Sequence, residues 1–408
     1  MKSKWLKNII ALAAVFALLF PAGALAGAGE ELPGILALLS YIPALSFAPG
    51  TLSFVDIPAL IAGTPGTVMP ESVEGFERIT GTPAGDAVLQ AYMGVSAGPP
   101  DVFRNLPQSR EMLTSSGIDY FHIRQMLEIG SPPLRQIWLS GNIDKAAILD
   151  KLQARGYQAT PNTLPDREVW GKGGDIGSGL KMDLRQRDAH FPFGGSLGQS
   201  WPVIFAGKVI GATPDEKAIQ AVAFESGPSL AAPGPIADMV MAAMMKGENE
   251  WGALAQLHLL TPSAAGTNLP GISSGSPEPA SGTEPLPPYT LLSLSQVFSI
   301  GAQWVLIGLS YPDAAAAAAA EPVIMERLSQ AKLARTGGFL SEKIKELGGR
   351  LDPFFTVPGE SGSHILVIPF RFPKSAEGPD NVANPYRFFA NLLQVRDFGW
   401  INIGNWGL

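Results

Sequence analysis

Two serines sit in the G-x-S-x-G spacing that can mark a hydrolase nucleophile. They are Ser196 within Gly194–Gly198 and Ser273 within Gly271–Gly275. The chemistry needs a strand before the serine and a helix after it, because that sharp turn lifts the hydroxyl clear of the backbone. Phe191-Pro192-Phe193 precedes Ser196, and Trp201-Pro202 with a strand-like run follows it. Ser273 lies in a stretch dominated by Pro, Gly and Ser. Neither setting fits, so a triad of Ser196, an acid and His364 is not expected.

The chain has no cysteine and four histidines, His122, His190, His258 and His364. No two histidines stand at helical spacing, and H-E-x-x-H is absent. Asp188 and His190 could point from one face of a strand, with Asp183 nearby. Arg185 and Arg187 between them favour a solvated polar loop, and no metal site is expected. EF-hand spacing is also missing. The glycine-rich run Gly171–Gly179 fails G-x-G-x-x-G, since Ile176 or Met182 falls at the sixth position. It fails the P-loop pattern too, because Gly173 follows Lys172. It reads as a loop, and no cofactor is expected.

Glu248, Glu250, Asp352 and Glu360 are carboxylates that spacing alone does not pair. Met239, Met241, Met244 and Met245 fall in one predicted helix, Pro235–Lys246, where methionine fills irregular core gaps. The aromatic residues Tyr386, Phe388, Phe389, Phe398, Trp400 and Trp406 gather near the C-terminus and are expected to close a core. No catalytic residue is assigned.

The elements around these residues form a mixed series. Val203–Phe205 and Val209–Ala212 flank Ala206-Gly207-Lys208 as a hairpin. A helix should follow, with Thr213 as N-cap, Pro214 at the first position and Glu216 completing a capping box. Ile137–Gly141 reads as a strand, then Asp144–Arg155 as a helix that ends at Gly156. Tyr289–Phe298 and Gln303–Tyr311 read as buried strands, although Leu291–Leu309 carries no charge. Ser293, Ser295, Gln296, Ser299, Gly301 and Gln303 in that run argue against a membrane span. Asp313 should cap a helix through Ala320, and Pro322 should kink or restart it before Val323–Leu333. Ser341–Leu347 should be helical, His364–Phe372 a strand, and Asn384-Pro385 the start of a last helix.

This order predicts an α+β fold with mixed, largely antiparallel sheets and helices packed on one face. Asp144 and Asp313 each follow a strand and precede a helix, which hints at an internal duplication of a strand–helix unit. Thr261–Pro288 has 16 Pro, Gly or Ser among 28 residues and reads as a linker or loop. The expected organisation is therefore 1–26, 27–260, 261–288 and 289–408, where the last region can share one core with 27–260.

Residues 1–26 look like a signal peptide. Lys2, Lys4 and Lys7 precede an apolar run from Ile9 to Phe20, and Ala24-Leu25-Ala26 offers small residues for cleavage. If the signal is retained, it would be an N-terminal anchor. The rest is long enough to bury a core without disulfides. Removing 1–26 takes three lysines and no acid, moving the net charge from −7 to −10. Nucleic acid is thus excluded as a partner, since binders show a basic surface, and net charge alone would not hold the chain on anionic lipid. Charged residues are 16% of the chain, below the usual figure of about 25%. With 46 Gly and 36 Pro, long loops are expected. The expected role is an exported, extracytoplasmic protein, secreted or periplasmic, without a membrane span after cleavage. It would bind a small molecule or an envelope protein without catalysis. An exported hydrolase and a membrane-tethered assembly factor are the alternatives.

Overall fold

The structure, a computed structural model, describes residues 34–401 except 48–49, 65, 104, 162, 178, 266–284, 334–336, 375–379 and 396. The signal peptide, the second G-x-S-x-G, most of the linker and Trp406 lie outside the described residues.

Residues with alternating or continuous apolar runs form one antiparallel sheet. Its centre pairs β1 (Thr51–Asp56) with β10 (Ala253–Leu260), Thr51 opposite Leu260 and Val55 opposite Gln256. From β10 the sheet continues through β11 (Leu291–Ser299), β12 (Ala302–Tyr311) and β15 (His364–Pro373). The short strands β13 (Arg350–Leu351) and β14 (Phe355–Pro358) finish that edge. From β1 it continues through β2 (Ile123–Ile129), β3 (Gln136–Gly141) and β7 (Val209–Ala212). It then reaches β6 (Val203–Ala206), β5 (Arg167–Lys172) and β4 (Tyr157–Ala159). A separate hairpin joins β8 (Met245–Gly247) to β9 (Glu250–Trp251). The fold is α+β.

The order repeats outward from the centre. On one side β1, β2 and β3 lead to a helix capped by Asp144, and a later strand, β7, pairs with β3. On the other, β10, β11 and β12 lead to a helix capped by Asp313, and β15 pairs with β12. Both caps accept backbone N–H bonds, Asp144 from Ala146 and Ala147, Asp313 from Ala316. The duplicated strand–helix unit foreseen from these two aspartates is therefore present in the topology.

Helices cover both faces, and this corrects the one-face expectation. One face of the first half holds Val55, Met126, Ile137, Leu139 and Phe205 against Ile57–Gly63, Val73–Ile79, Pro83–Met93 and Lys145–Ala154. The same face of the second half holds Leu294, Ile307, Ile368 and Phe370 against Ala314–Gln330, Leu340–Glu346 and Asp380–Gln394. The opposite face carries Leu52, Phe54, Trp138, Leu257 and Leu306 under Ile35–Leu39, Glu216–Phe224 and Pro235–Ala242. A strand buried on both sides reads as a continuous apolar run, which does not say what covers it.

Other differences are local. The helix after β7 is capped by Asp215, which accepts from Lys217 N, while Thr213 Oγ1 accepts from Asp215 N. The Met-rich helix stops at Ala242, and the chain turns into β8 at Met245. Pro322 sits inside one unbroken helix, Ala314–Gln330. The carbonyl left without a donor belongs to Ala318, an exposed residue, so water can take that place. The last helix begins at Asp380, before Pro385.

Between the two apolar clusters on the shared face runs a buried polar ladder. Gln256 Nε2 donates to Gln296 Oε1 at 2.8 Å, and Gln296 Nε2 to Gln303 Oε1 at 3.0 Å. Gln256 Oε1 accepts from Ser96 N and Ala97 N, at 2.7 and 3.2 Å. Three strands and the loop after Pro83–Met93 are thereby joined. Gln256→Leu strands two loop N–H groups and one amide, and should destabilise the fold by about 3 kcal/mol. Urea unfolding measures this, and a loss under about 1 kcal/mol would show that the loop is held elsewhere.

Candidate functional site

The motifs singled out above converge on the outer end of the sheet. Helix Lys145–Ala154 ends at Arg155, and Gly156 at φ +80° turns the chain into β4. Tyr157 of β4 pairs with Lys172 at the end of β5. The Gly171–Gly174 turn, the segment Asp183–His190 and the Gly194–Gly198 turn pack beside them. Together they border a cavity of about 280 Å³ lined by Arg155, Tyr157, Lys172, Gln186, Phe191 and Gln199, among others.

Glycine chemistry explains the G-x-S-x-G match. Gly194 and Gly198 are left-handed, at φ +85° and +68°, where a Cβ is disfavoured. Gly195 has no room for one, since a Cβ would meet Asp188 O at 2.5 Å. The pattern thus serves a tight turn. Ser196 gives its carbonyl to Arg187 Nε at 3.1 Å. His364 is on β15, eight strand spacings from β6, so roughly 40 Å separates the two at about 4.8 Å per strand. Ser196 and His364 are not brought together.

Two cations shape the cavity. Arg155 stacks on Phe191, with Cζ 4.1 Å from the ring centre, and donates to Asp188 and to Ser115 Oγ. Burial works to raise the Asp188 carboxyl, but hydrogen bonds from Ser115, Arg155 and the His190 N–H, with the Arg155 charge, outweigh it and hold it low. The Arg155 charge is therefore largely compensated. Lys172 Nζ donates to the Arg155 carbonyl and to Gln186 Oε1, both neutral oxygens. Among the described residues no carboxylate lies within ion-pair distance of it. Tyr157 and Phe191 meet edge to face at 6.4 Å, and Tyr157 donates to Trp201 O at 3.2 Å. Burial pushes the Tyr157 phenol up, so it stays neutral.

The histidines and acids are otherwise scattered. His190 Nδ1 lies 3.0 Å from Asn105 Oδ1, and Asp183 caps its own turn at Arg185 N. Glu250 pairs with Lys246, and Asp352 with Arg350. Glu360 gives its N–H to Asp238. Among the described residues no group of three metal-ligating side chains converges. Met239 is buried in the core, and so are Tyr386, Phe389, Phe398 and Trp400.

One pair escaped the sequence reading. Ser53 Oγ lies 2.9 Å from His258 Nδ1, across the central β1–β10 pair. Glu128 is opposite Ser53 on the next strand, so the three form one row. A serine nucleophile needs a base that titrates near the working pH. Burial pushes His258 down to about 4, with a backbone hydrogen bond at Ser96 only partly opposing it. The loop amides Ser96 N and Ala97 N are bound to Gln256 and so are not free to stabilise an oxyanion. The ring stacks on Tyr386 at 6.2 Å. The row is structural. No spacing signal could have found it, since Ser53 and His258 are 205 residues apart.

Glu128 adds a pH dependence. Burial raises its carboxyl to about 7, with Arg135 opposing and Asp101 reinforcing the shift. Arg135 pairs with the buried Asp101 and lies 3.7 Å from Glu128. Between the ordinary value of 4.5 and about 7, the folded chain keeps a proton that the unfolded chain has lost. Stability from this group therefore falls as pH rises through that window. Glu128→Gln should flatten the slope and raise stability at alkaline pH by about 2 kcal/mol. Denaturant unfolding on both sides of the window measures it, and identical slopes in parent and variant would refute the assignment.

Comparisons add little to this geometry. No protein-family model matches the chain, and no curated protein matches it. Among solved structures it is similar to crystal form I of TP0453, at 7% identity and a TM-score of 0.31, over 86% of this chain and 98% of that one.

Proposed function

We propose that the chain is an exported, extracytoplasmic protein that binds a small molecule without transforming it, in the cavity over β4 and β5. The observation that carries this reading is the pairing of Lys172, whose charge lacks a carboxylate partner among the described residues, with the aromatic walls Tyr157 and Phe191. Gln186 and Gln199 add amides that can orient a ligand. At about 280 Å³ the cavity is at the small end of ligand sites, which run to about 1,000 Å³. The fitting ligand has one anionic group and a flat apolar part.

The Ser53–His258 contact described above has a base too weak at neutral pH to activate the serine. Export rests on the n-region lysines, the apolar run and the Ala24-Leu25-Ala26 site.

Titration calorimetry with benzoate, and with benzamide as its neutral counterpart, tests the binding reading. Benzoate should bind more tightly, and Lys172→Glu should weaken it roughly tenfold or more while leaving the melting temperature unchanged. Equal binding of the two probes, or of benzoate to parent and variant, would defeat it. N-terminal sequencing of protein from its native cell tests export, with a mature start at Gly27 expected. A retained leader on cytosolic protein would overturn that part.

A further inference from the structure

The rim beside the cavity has a composition unlike the rest of the chain. Every residue of 180–187 is exposed, and the run reads Leu180-Lys181-Met182-Asp183-Leu184-Arg185-Gln186-Arg187. Leu180 is 45% exposed, Met182 60% and Leu184 64%. Leu197, on the turn paired with this segment, is 44% exposed. Four large apolar side chains thus stand in water on two adjoining turns. Single exposed leucines need no explanation, but such a group marks a contact surface.

The turns are held in place. Met182 bridges to Gln199, and Asp183 N donates to Gly198 O at 2.8 Å. Arg187 Nε donates to Ser196 O at 3.1 Å, and Gln199 Oε1 accepts from the buried Trp201 at 2.8 Å. The apolar residues are therefore presented on a fixed support. Among them sit three cations, Lys181, Arg185 and Arg187, and one acid. That acid, Asp183, is exposed like the cations, caps Arg185 N and binds Gln186 Nε2, and leaves the group with an excess of two positive charges. The patch is positive on a chain whose net charge is −7.

We infer that this rim docks on an anionic lipid surface. Apolar tips would enter the boundary between headgroups and acyl chains, while the interleaved basic groups stay at headgroup level. Net charge alone opposes such docking, but surface attraction falls off within a Debye length, so the local charge decides. The inference does not rest on the cavity holding a ligand.

Sedimentation of the full chain tests it, with vesicles of phosphatidylcholine alone and of an equal mixture with phosphatidylglycerol. Because residues 9–20 are themselves apolar, the readout is the difference between parent and variants. One variant combines Leu180→Ser, Met182→Ser, Leu184→Ser and Leu197→Ser. The other combines Lys181→Glu, Arg185→Glu and Arg187→Glu. The parent should prefer the anionic vesicles, with binding weakened by salt. At roughly fivefold per basic residue, charge reversal should lower partitioning about 100-fold or more. The apolar variant should lose anionic binding too, with unchanged melting; if it melts early, Met182→Ser with Leu184→Ser replaces it. Equal binding by parent and variants, or no preference for the anionic mixture, overturns the inference. So does self-association of the parent that the apolar variant abolishes, which would assign the patch to a protein contact.

Discussion

The antiparallel pairing of β1 with β10 is the constraint on which the rest of the structure depends. It joins segments about half the chain apart, and every other strand of that sheet is added outward from it. Without it, β11, β12 and β15 would be an isolated sheet beside β2, β3 and β7. Each half would leave an edge strand open, and an open edge recruits other chains. Closing so long a loop costs entropy, though the cost grows only slowly with length. The burial of Leu52, Phe54, Leu257 and Leu259 on one face repays it. Such long-range pairing also implies slow folding relative to local helical structure.

A repeated half-sheet creates a problem where the halves meet. Helix Ile57–Gly63 crosses the seam, packed on β1, β2, β10 and β11, and the other helices of the two halves flank it. The chain fills the seam with polar groups that satisfy one another. Gln256, Gln296 and Gln303 bond in series, and Ser53 meets His258. A buried amide left without partners would cost more than an apolar residue gains, so the ladder works only because it is connected. The ladder also fixes register. Sliding β10 by one residue would send Gln256 to the opposite face, where Phe54 and Leu306 lie.

Local chemistry was readable from the sequence where a few residues suffice. Asp144 and Asp313 cap helices as read, and Gly207 turns the β6–β7 hairpin at φ +56°. The strands around Val297 and Val305 were found despite an uncharged stretch long enough to raise a membrane span. Errors arose where neighbours decide. Thr213 and Asp215 both favour a cap, and packing of Ile219 and Val222 chose the later one. Pro322 broke no helix because its turn faces solvent. The cavity was hidden for a different reason. Its parts stand in the sequence as a glycine run, an Asp-x-His pair and a serine pattern, and no spacing relates them. Only the fold places Lys172, Gln186 and Phe191 around one space.

The placement of those parts follows from the same architecture. At the seam the glutamine amides are bound to one another and to the loop N–H groups of Ser96 and Ala97. The opposite holds at the β4–β5 end, where strands are short, glycines permit tight turns and the loops from 173 to 200 carry no sheet load. Residues there can be exposed, charged or strained without weakening the centre. Lys172 shows the contrast: it is held by neutral oxygens and keeps an uncompensated charge, whereas the buried Arg135 is matched by Asp101. A cation near water can wait for a ligand, but a cation in the core must be paired at once. The same sheet thus sets a half-exposed cation against neutral oxygens at its outer end and a row of Glu128, Ser53 and His258 across its centre.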